Sequence, residues 1–199
     1  MNYTYHSFRN AETILCNDSR YTNLWIEFRN TISEISEAEI INSFLSSTRS
    51  SKKSISDDIN SILDSKLTAL GWNRQSTIFN NPTYQSGRQW KLDFAKEEIS
   101  VEVAFNHSGA ISWNLIKPVL ASELNHVQKA IQTSAGIIVT ATEAMRIAGN
   151  FDAAVGTYEK YLNYLDPLRN MLTVPILIIG LESPSTFRID NTTKSVVML

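Results

Sequence analysis

Cysteine is nearly missing from this 199-residue chain: Cys16 stands alone, so no internal disulfide can form. A single cysteine suits a reducing compartment and reads as a small buried hydrophobe rather than as a nucleophile. Long hydrophobic runs are missing too, and none approaches the length that crosses a bilayer. The opening stretch MNYTYHSFRN has no cationic segment followed by an apolar one, so no secretory signal is read. A cytoplasmic location of the prokaryotic type is expected, without a membrane partner. Positive charge is not in excess: 18 Lys and Arg face 20 Asp and Glu, for a net charge of −2. Any nucleic-acid surface must therefore be a local patch rather than a property of the whole chain. There is no internal repeat.

What is present is the composition of a globular protein, 43% apolar and 19% charged, too apolar for disorder. One domain over 1–199 is expected, with N-terminal helices over 8–71 and a core over about 73–182. AETILC and YTNLWIEFRNTISEI place apolar residues at helical spacing, giving one or two helices before residue 36. SSTRSSKKS (46–54) is polar and basic, either a solvated connector or an arm that contacts phosphates. SDDINSILDSKLTALGW begins at a good N-cap, Ser56, carries two aspartates in its first turn and ends at Gly71. NNPTYQSG is a turn-rich connection. SWNLIKPVLASELNHVQKA has a helical pattern, with Pro118 limiting where it can start. GIIVT and VPILIIGL are short continuous apolar runs suited to strands buried on both faces. Between them, AMRIAGNFDAAVGTYEKYLNYLDPLRNM gives a loop and then a helix. Strands alternating with helices beyond residue 110 predict an α/β fold, a mixed central sheet flanked by helices.

KLDFAKEEISVEVAF (91–105) reads as an apolar hairpin with two acids at its centre. With the turn at Lys96 and Glu97, Ala95 pairs with Glu98, Phe94 with Ile99 and Asp93 with Ser100. One face then carries Leu92, Phe94, Ile99, Val101, Val103 and Phe105. The other carries Lys91, Asp93, Ala95, Glu98, Ser100, Glu102, Ala104 and Asn106. The apolar set segregates completely, as in a half-buried antiparallel pair. Asp93 and Glu102 become diagonal neighbours, roughly 7 Å apart at their β-carbons. They are either ordinary charges on a solvated strand or a pair that holds a cation between them. Hard oxygen ligands of this kind suit Mg²⁺.

LDFAKEEISVEVAF also resembles the motif of the PD-(D/E)xK nuclease superfamily. More narrowly it resembles the BglII- and BstYI-like type II restriction endonucleases, relatives of BamHI. Asp93, the eight-residue interval and Glu102 within SVEVAF carry the likeness. GIIVT, TYEKYLNYL and VPILIIGL continue it, as the next core strand, a Tyr-Glu-containing helix and the last core strand. AETIL, LWIEF and LTALGW match more weakly. The resemblance implies a restriction-endonuclease-like core and hydrolysis of both strands of duplex DNA at a short palindrome, with a GATC core in related enzymes. It further implies a homodimer and cleavage that leaves a 5′-phosphate. Asp93, Glu102 and the carbonyl of Val103 would hold Mg²⁺, which stabilises charge on the scissile phosphate and activates water.

One departure is Ala104, catalytic by position, where related enzymes carry lysine, glutamate or glutamine beside the attacking water. A methyl group can neither position water nor take its proton. Three explanations stay open: another group does the work, the enzyme is feeble, or the chain is an inactive substituted form. Lys96, Glu98 and His107 are the candidate substitutes. For DNA, the resemblance points to Asn106 and His107 after the catalytic strand, asparagine being suited to adenine. It also points to Lys117 as a phosphate contact and to the loop GNFDAAVGTYE, where Ala153 and Ala154 replace the relatives' polar residues, so that base contacts do not carry over except through backbone groups or Thr157, with Asn150 and Asp152 as alternatives. A DNA-binding protein disabled by Ala104 and a repair or modified-DNA nuclease are the alternatives.

Overall fold

In the computed structural model, which describes residues 1–46, 53–85, 87–123 and 126–199, the two apolar runs become adjacent parallel strands at the sheet centre. They are β5 (Ala135–Ala141) and β6 (Ile176–Leu181), buried at every position, because helices cover both faces of the sheet. The other strands are β1 (Tyr3–Phe8), β2 (Asn73–Thr77), β3 (Lys91–Lys96) and β4 (Ile99–Val103), in the spatial order β1-β6-β5-β4-β3-β2. Only β4, β5 and β6 run parallel; β1, β3 and β2 are antiparallel to their neighbours. A separate pair, β7 (Phe187–Ile189) and β8 (Val196–Met198), follows.

Alternation along the strands divides the core. Ile137, Val139, Leu177, Ile179 and Val101 face a large cluster built with α1 (Ala11–Asn17), α2 (Thr22–Ser33), α3 (Glu37–Ser46) and α4 (Ser56–Ala69). Ile138, Ile176 and Ile178 face a second cluster beneath α6 (Ile111–Ser122) and α8 (Tyr158–Leu165). The short α5 (Pro82–Gln85) and α7 (Glu143–Ala148) complete the helices. None of the helices among the described residues is long and apolar enough to cross a membrane.

Several expectations need correcting. Residues 47–52 of the basic segment lie outside the described residues. The fourth helix starts at Ser56, but Ile55 is its N-cap residue and no side-chain cap forms. Its end is as read, with Gly71 in the left-handed region (φ 83°) that glycine adopts without strain. The helix after the hairpin stops at Ser122 and runs through Pro118. Cys16 is exposed, not buried, because it lies on the outer side of α1, whose inner residues are Ala11 and Leu15.

α6 lies close on the sheet because Gly136 of β5 has no side chain. A β-carbon there would stand 2.6 Å from Pro118 Cβ. This close approach sets the height of α6, and with it the reach of every side chain α6 sends towards β4.

Candidate active site at the hairpin

β3 and β4 pair as Lys96 with Ile99, Ala95 with Ser100 and Phe94 with Val101. The turn is therefore at residues 97 and 98, one residue later than expected, with Glu97 in the left-handed region (φ 46°). Because the register moves by two residues, the shift by itself turns no side chain to the other face. Extended by one more pair, this register brings Asp93 directly opposite Glu102 rather than diagonal to it. Regular pairing stops before that point. Asp93 Oδ2 instead accepts from the backbone N–H of Val103 at 2.8 Å, a side chain standing where a ladder carbonyl would be. Its other oxygen accepts from Gln75 Nε2 at 3.2 Å. Gln75 sits in β2 with φ 49°, a strained conformation for a residue other than glycine. Leu92 leaves the set expected for it and packs with Ile78, Phe79, Ala95 and Ala121.

The face bearing Glu102 is not a solvated one. Glu102 is 2% exposed, and α6 lies over it. Lys117 of α6 donates to Glu102 Oε2 at 2.6 Å, a buried ion pair. Glu102 Oε1 is buried without a hydrogen-bond partner among the described residues. Burial first, and then the nearby charge of Asp93, push the Glu102 carboxyl up to about 8; Lys117 acts against both. Burial likewise raises Asp93, opposed by its bond from Val103 and by Lys117. A buried carboxylate with one oxygen unserved, next to a second, half-buried carboxylate, is an arrangement that a cation would relieve. Among the described residues no cluster of three or more Asp, Glu, His or Cys side chains could hold a metal. The two acids would need backbone, water or substrate oxygens to complete a shell, and the Val103 carbonyl is the backbone group at hand. A cleft of about 390 Å³ opens on Asp93, Phe94 and Val103, with Asp57, Asn60, Ser61 and Asp64 of α4 and Arg74 and Gln75 of β2 around it. Arg74 is held by Asp64 at 2.6 Å.

Ala104 is 1% exposed and packs with Ile111, Leu115 and Ile138. It lies on the Glu102 face, as expected, but in an apolar setting rather than an open polar one. Lys96 and Glu98 are engaged at the turn end of the hairpin, away from the acids. Lys96 bonds to Glu27 at 2.8 Å and to the Leu70 carbonyl at 2.7 Å, while Glu98 accepts from Ser134. Both side chains are thus directed to these partners rather than to position 104.

The residues expected to meet DNA fall into two sets. Asn106 and His107 are exposed, and their segment is tied to the loop around Asp152. His107 and Val155 form a β-bridge, Ser108 N–H donates to the Ala154 carbonyl at 2.7 Å, and Gly156 N–H donates to Asn106 at 3.0 Å. Asp152 is exposed and caps its own loop by accepting from Ala154 N–H at 2.7 Å. Asn150 is turned to the Lys53 carbonyl at 2.5 Å. Two expectations do not fit: Thr157 is 1% exposed, and Lys117 is directed at Glu102 rather than outward from an open helix face. Sequence reasoning missed Asn114. This buried residue of α6 donates to Asn106 Oδ1 at 3.1 Å and to Tyr161 Oη at 2.7 Å. Gln75 was missed as well, since a glutamine in a polar stretch carries no signal of its own.

The fold resembles that of solved restriction endonucleases. A crystal structure of BglII complexed with a DNA 16-mer superposes with a TM-score of 0.67 at 19% identity, covering 99% of this chain and 87% of that one. Free BglII gives a TM-score of 0.59 at 18% identity, with 100% and 90% covered. No curated protein matches the sequence. The family model for restriction endonuclease BglII/BglIII matches residues 3–181. The chain thus belongs to the BglII/BglIII restriction endonuclease family, type II site-specific deoxyribonucleases.

Proposed function

We propose that this protein is a Mg²⁺-dependent endonuclease that cuts both strands of duplex DNA at a short palindrome and acts as a homodimer. The observation that carries the reading is Glu102 Oε1, a buried carboxylate oxygen without a partner among the described residues, beside the Asp93 carboxylate. Asp93, Glu102 and the Val103 carbonyl would hold the ion. When bound, it supplies charge stabilisation for the scissile phosphate and acidifies a water. The protein's own part is positional. Val103 N–H and Gln75 fix the Asp93 carboxylate, which lines the cleft, and Lys117 fixes that of the buried Glu102 behind it. Asn106 and His107, joined to the Asp152 loop, form the base-reading edge, in keeping with the DNA bound to BglII in the structure that resembles this one. A GATC-core site is the first to try.

A second reading has its own support. The methyl group of Ala104, sealed among apolar side chains, offers no group to an attacking water, and on that basis the chain would bind its site without cutting it.

The test is a plasmid digest with and without Mg²⁺, with the ends mapped, alongside Asp93→Asn. Discrete fragments with 5′-phosphates from the parent and none from the variant are the expected outcome. Site-specific binding without fragments would select the second reading. Equal cutting by the variant would remove Asp93 from the site.

A further inference from the structure

The sheet-facing side of α6 is apolar except for two residues one turn apart, Asn114 and Lys117, which are 2% and 9% exposed. A lysine is costly there. Desolvating its ammonium takes several kcal/mol, and a buried ion pair is often no more stable than a hydrophobic pair of the same shape. Packing alone would be served by leucine or methionine beside Leu115 and Ala121. What Lys117 does instead is bond one oxygen of Glu102 at 2.6 Å and leave the other without a partner among the described residues. Ala104, next on that face of β4, brings no polar group to the carboxylates. The cation at Glu102 comes from the helix.

We propose that Lys117 is a positioning residue of the carboxylate site. It clamps Glu102 Oε2 so that Oε1 is the oxygen offered to a divalent cation, and it supplies the fixed positive charge that balances the site when a phosphodiester enters. The inference rests on the metal-dependent reading above. Charge counting supports it. Once an entering metal has displaced the Glu102 proton, two carboxylates and one ammonium count as minus one, the divalent ion brings the site to plus one, and a phosphodiester then neutralises it. Without Lys117 the loaded site would be neutral before DNA arrives and negative afterwards.

The experiment measures Mn²⁺ binding to the DNA-free protein by electron paramagnetic resonance, for the parent, Lys117→Met, Lys117→Arg and Asp93→Asn. Lys117→Met, a hydrophobic isostere, leaves Glu102 without its partner and is expected to fold with a lowered melting temperature. It should bind Mn²⁺ about 10–100-fold more weakly, as is usual when a group orienting a metal ligand is lost. Lys117→Arg should recover most of the affinity. In Mg²⁺ the methionine variant should lose kcat on duplex DNA with KM unchanged. If it does not fold, Lys117→Gln, which keeps a donor but not the charge, carries the same expectation. A folded Lys117→Met that binds Mn²⁺ as tightly as the parent, or more tightly, overturns the proposal; in the second case the lysine competes with the metal for Glu102. Undiminished Mn²⁺ binding by Asp93→Asn would overturn the carboxylate site itself, whatever Lys117 does.

Discussion

Glu102 sits in a strand with protein on both sides, where charge is costly. Its carboxyl, pushed up to about 8 by burial and by Asp93, keeps a proton in the folded state over a range in which the unfolded chain, near the ordinary 4.5, has released it. The sign follows from proton counting: the native state binds more protons, so stability falls as pH rises from about 4.5 towards about 8. Asp93, raised in the same direction, adds to the trend. We expect urea midpoints of the metal-free protein to drop across that interval and those of Glu102→Gln to drop less. Added Mg²⁺ should restore the parent at the upper end, because an ion that binds the native carboxylates stabilises the native state by mass action. Parallel midpoints for the two proteins would deny Glu102 its proton. At this scale the alternation of the hairpin put Asp93 and Glu102 on one face without deciding between a solvated strand and a cation pair, and the departure at Ala104 was visible only through the family resemblance. The partner of Glu102 was not visible at all. Lys117 is fifteen positions away, and which residue of a helix meets which residue of a sheet depends on crossing angle and height, which no local pattern encodes. Gln75 and Asn114 are hidden for the same reason.

Among the elements, α6 matters most to the site, and its height rests on the contact between Pro118 and Gly136. Gly136→Ala would place a methyl 2.6 Å from Pro118 Cβ and 2.8 Å from its Cγ, both parts of a rigid ring. The helix must lift or the strand must bend, at a cost of about 1–3 kcal/mol for overpacking of this kind. Lys117 should be drawn away from Glu102 as α6 rises. The expected result is a lower denaturation midpoint together with slower single-turnover cleavage in Mg²⁺; a loss of stability alone would mean that α6 shifts without moving Lys117. The central strands β5 and β6 could be read in advance because a run of branched apolar residues has few other places to go. The edges could not. NRQST in β2 has no apolar alternation, and YTYHSF in β1 becomes a strand only because β6 is there to pair with it. Pairing of that sort is decided by tertiary contact rather than by propensity.

For the molecule as a whole, on the proposed function, the single buried carboxylate pair among the described residues would set the stoichiometry on DNA. A single site can cut one strand at a time, and a palindrome presents two equivalent strands related by a two-fold axis. We expect sedimentation on cognate duplex to show two protomers per site. One protomer per duplex, with double-strand breaks still formed in a single encounter, would contradict that arrangement. With a net charge of −2, binding cannot rely on a generally cationic surface, so the pairing of two copies would also join two small contact patches into one of useful size.

On the proposed function, the bridge between His107 and Val155, with its flanking backbone bonds, bears on attempts to give the enzyme a new target. The segment after β4 and the loop before α8 are separated by nearly fifty positions of sequence, yet they are laced together as a single ribbon. Transplanting one of them from another enzyme would leave the resident half with unpaired amides and a displaced Asn106. A graft should carry both halves at once, and a library should vary them jointly.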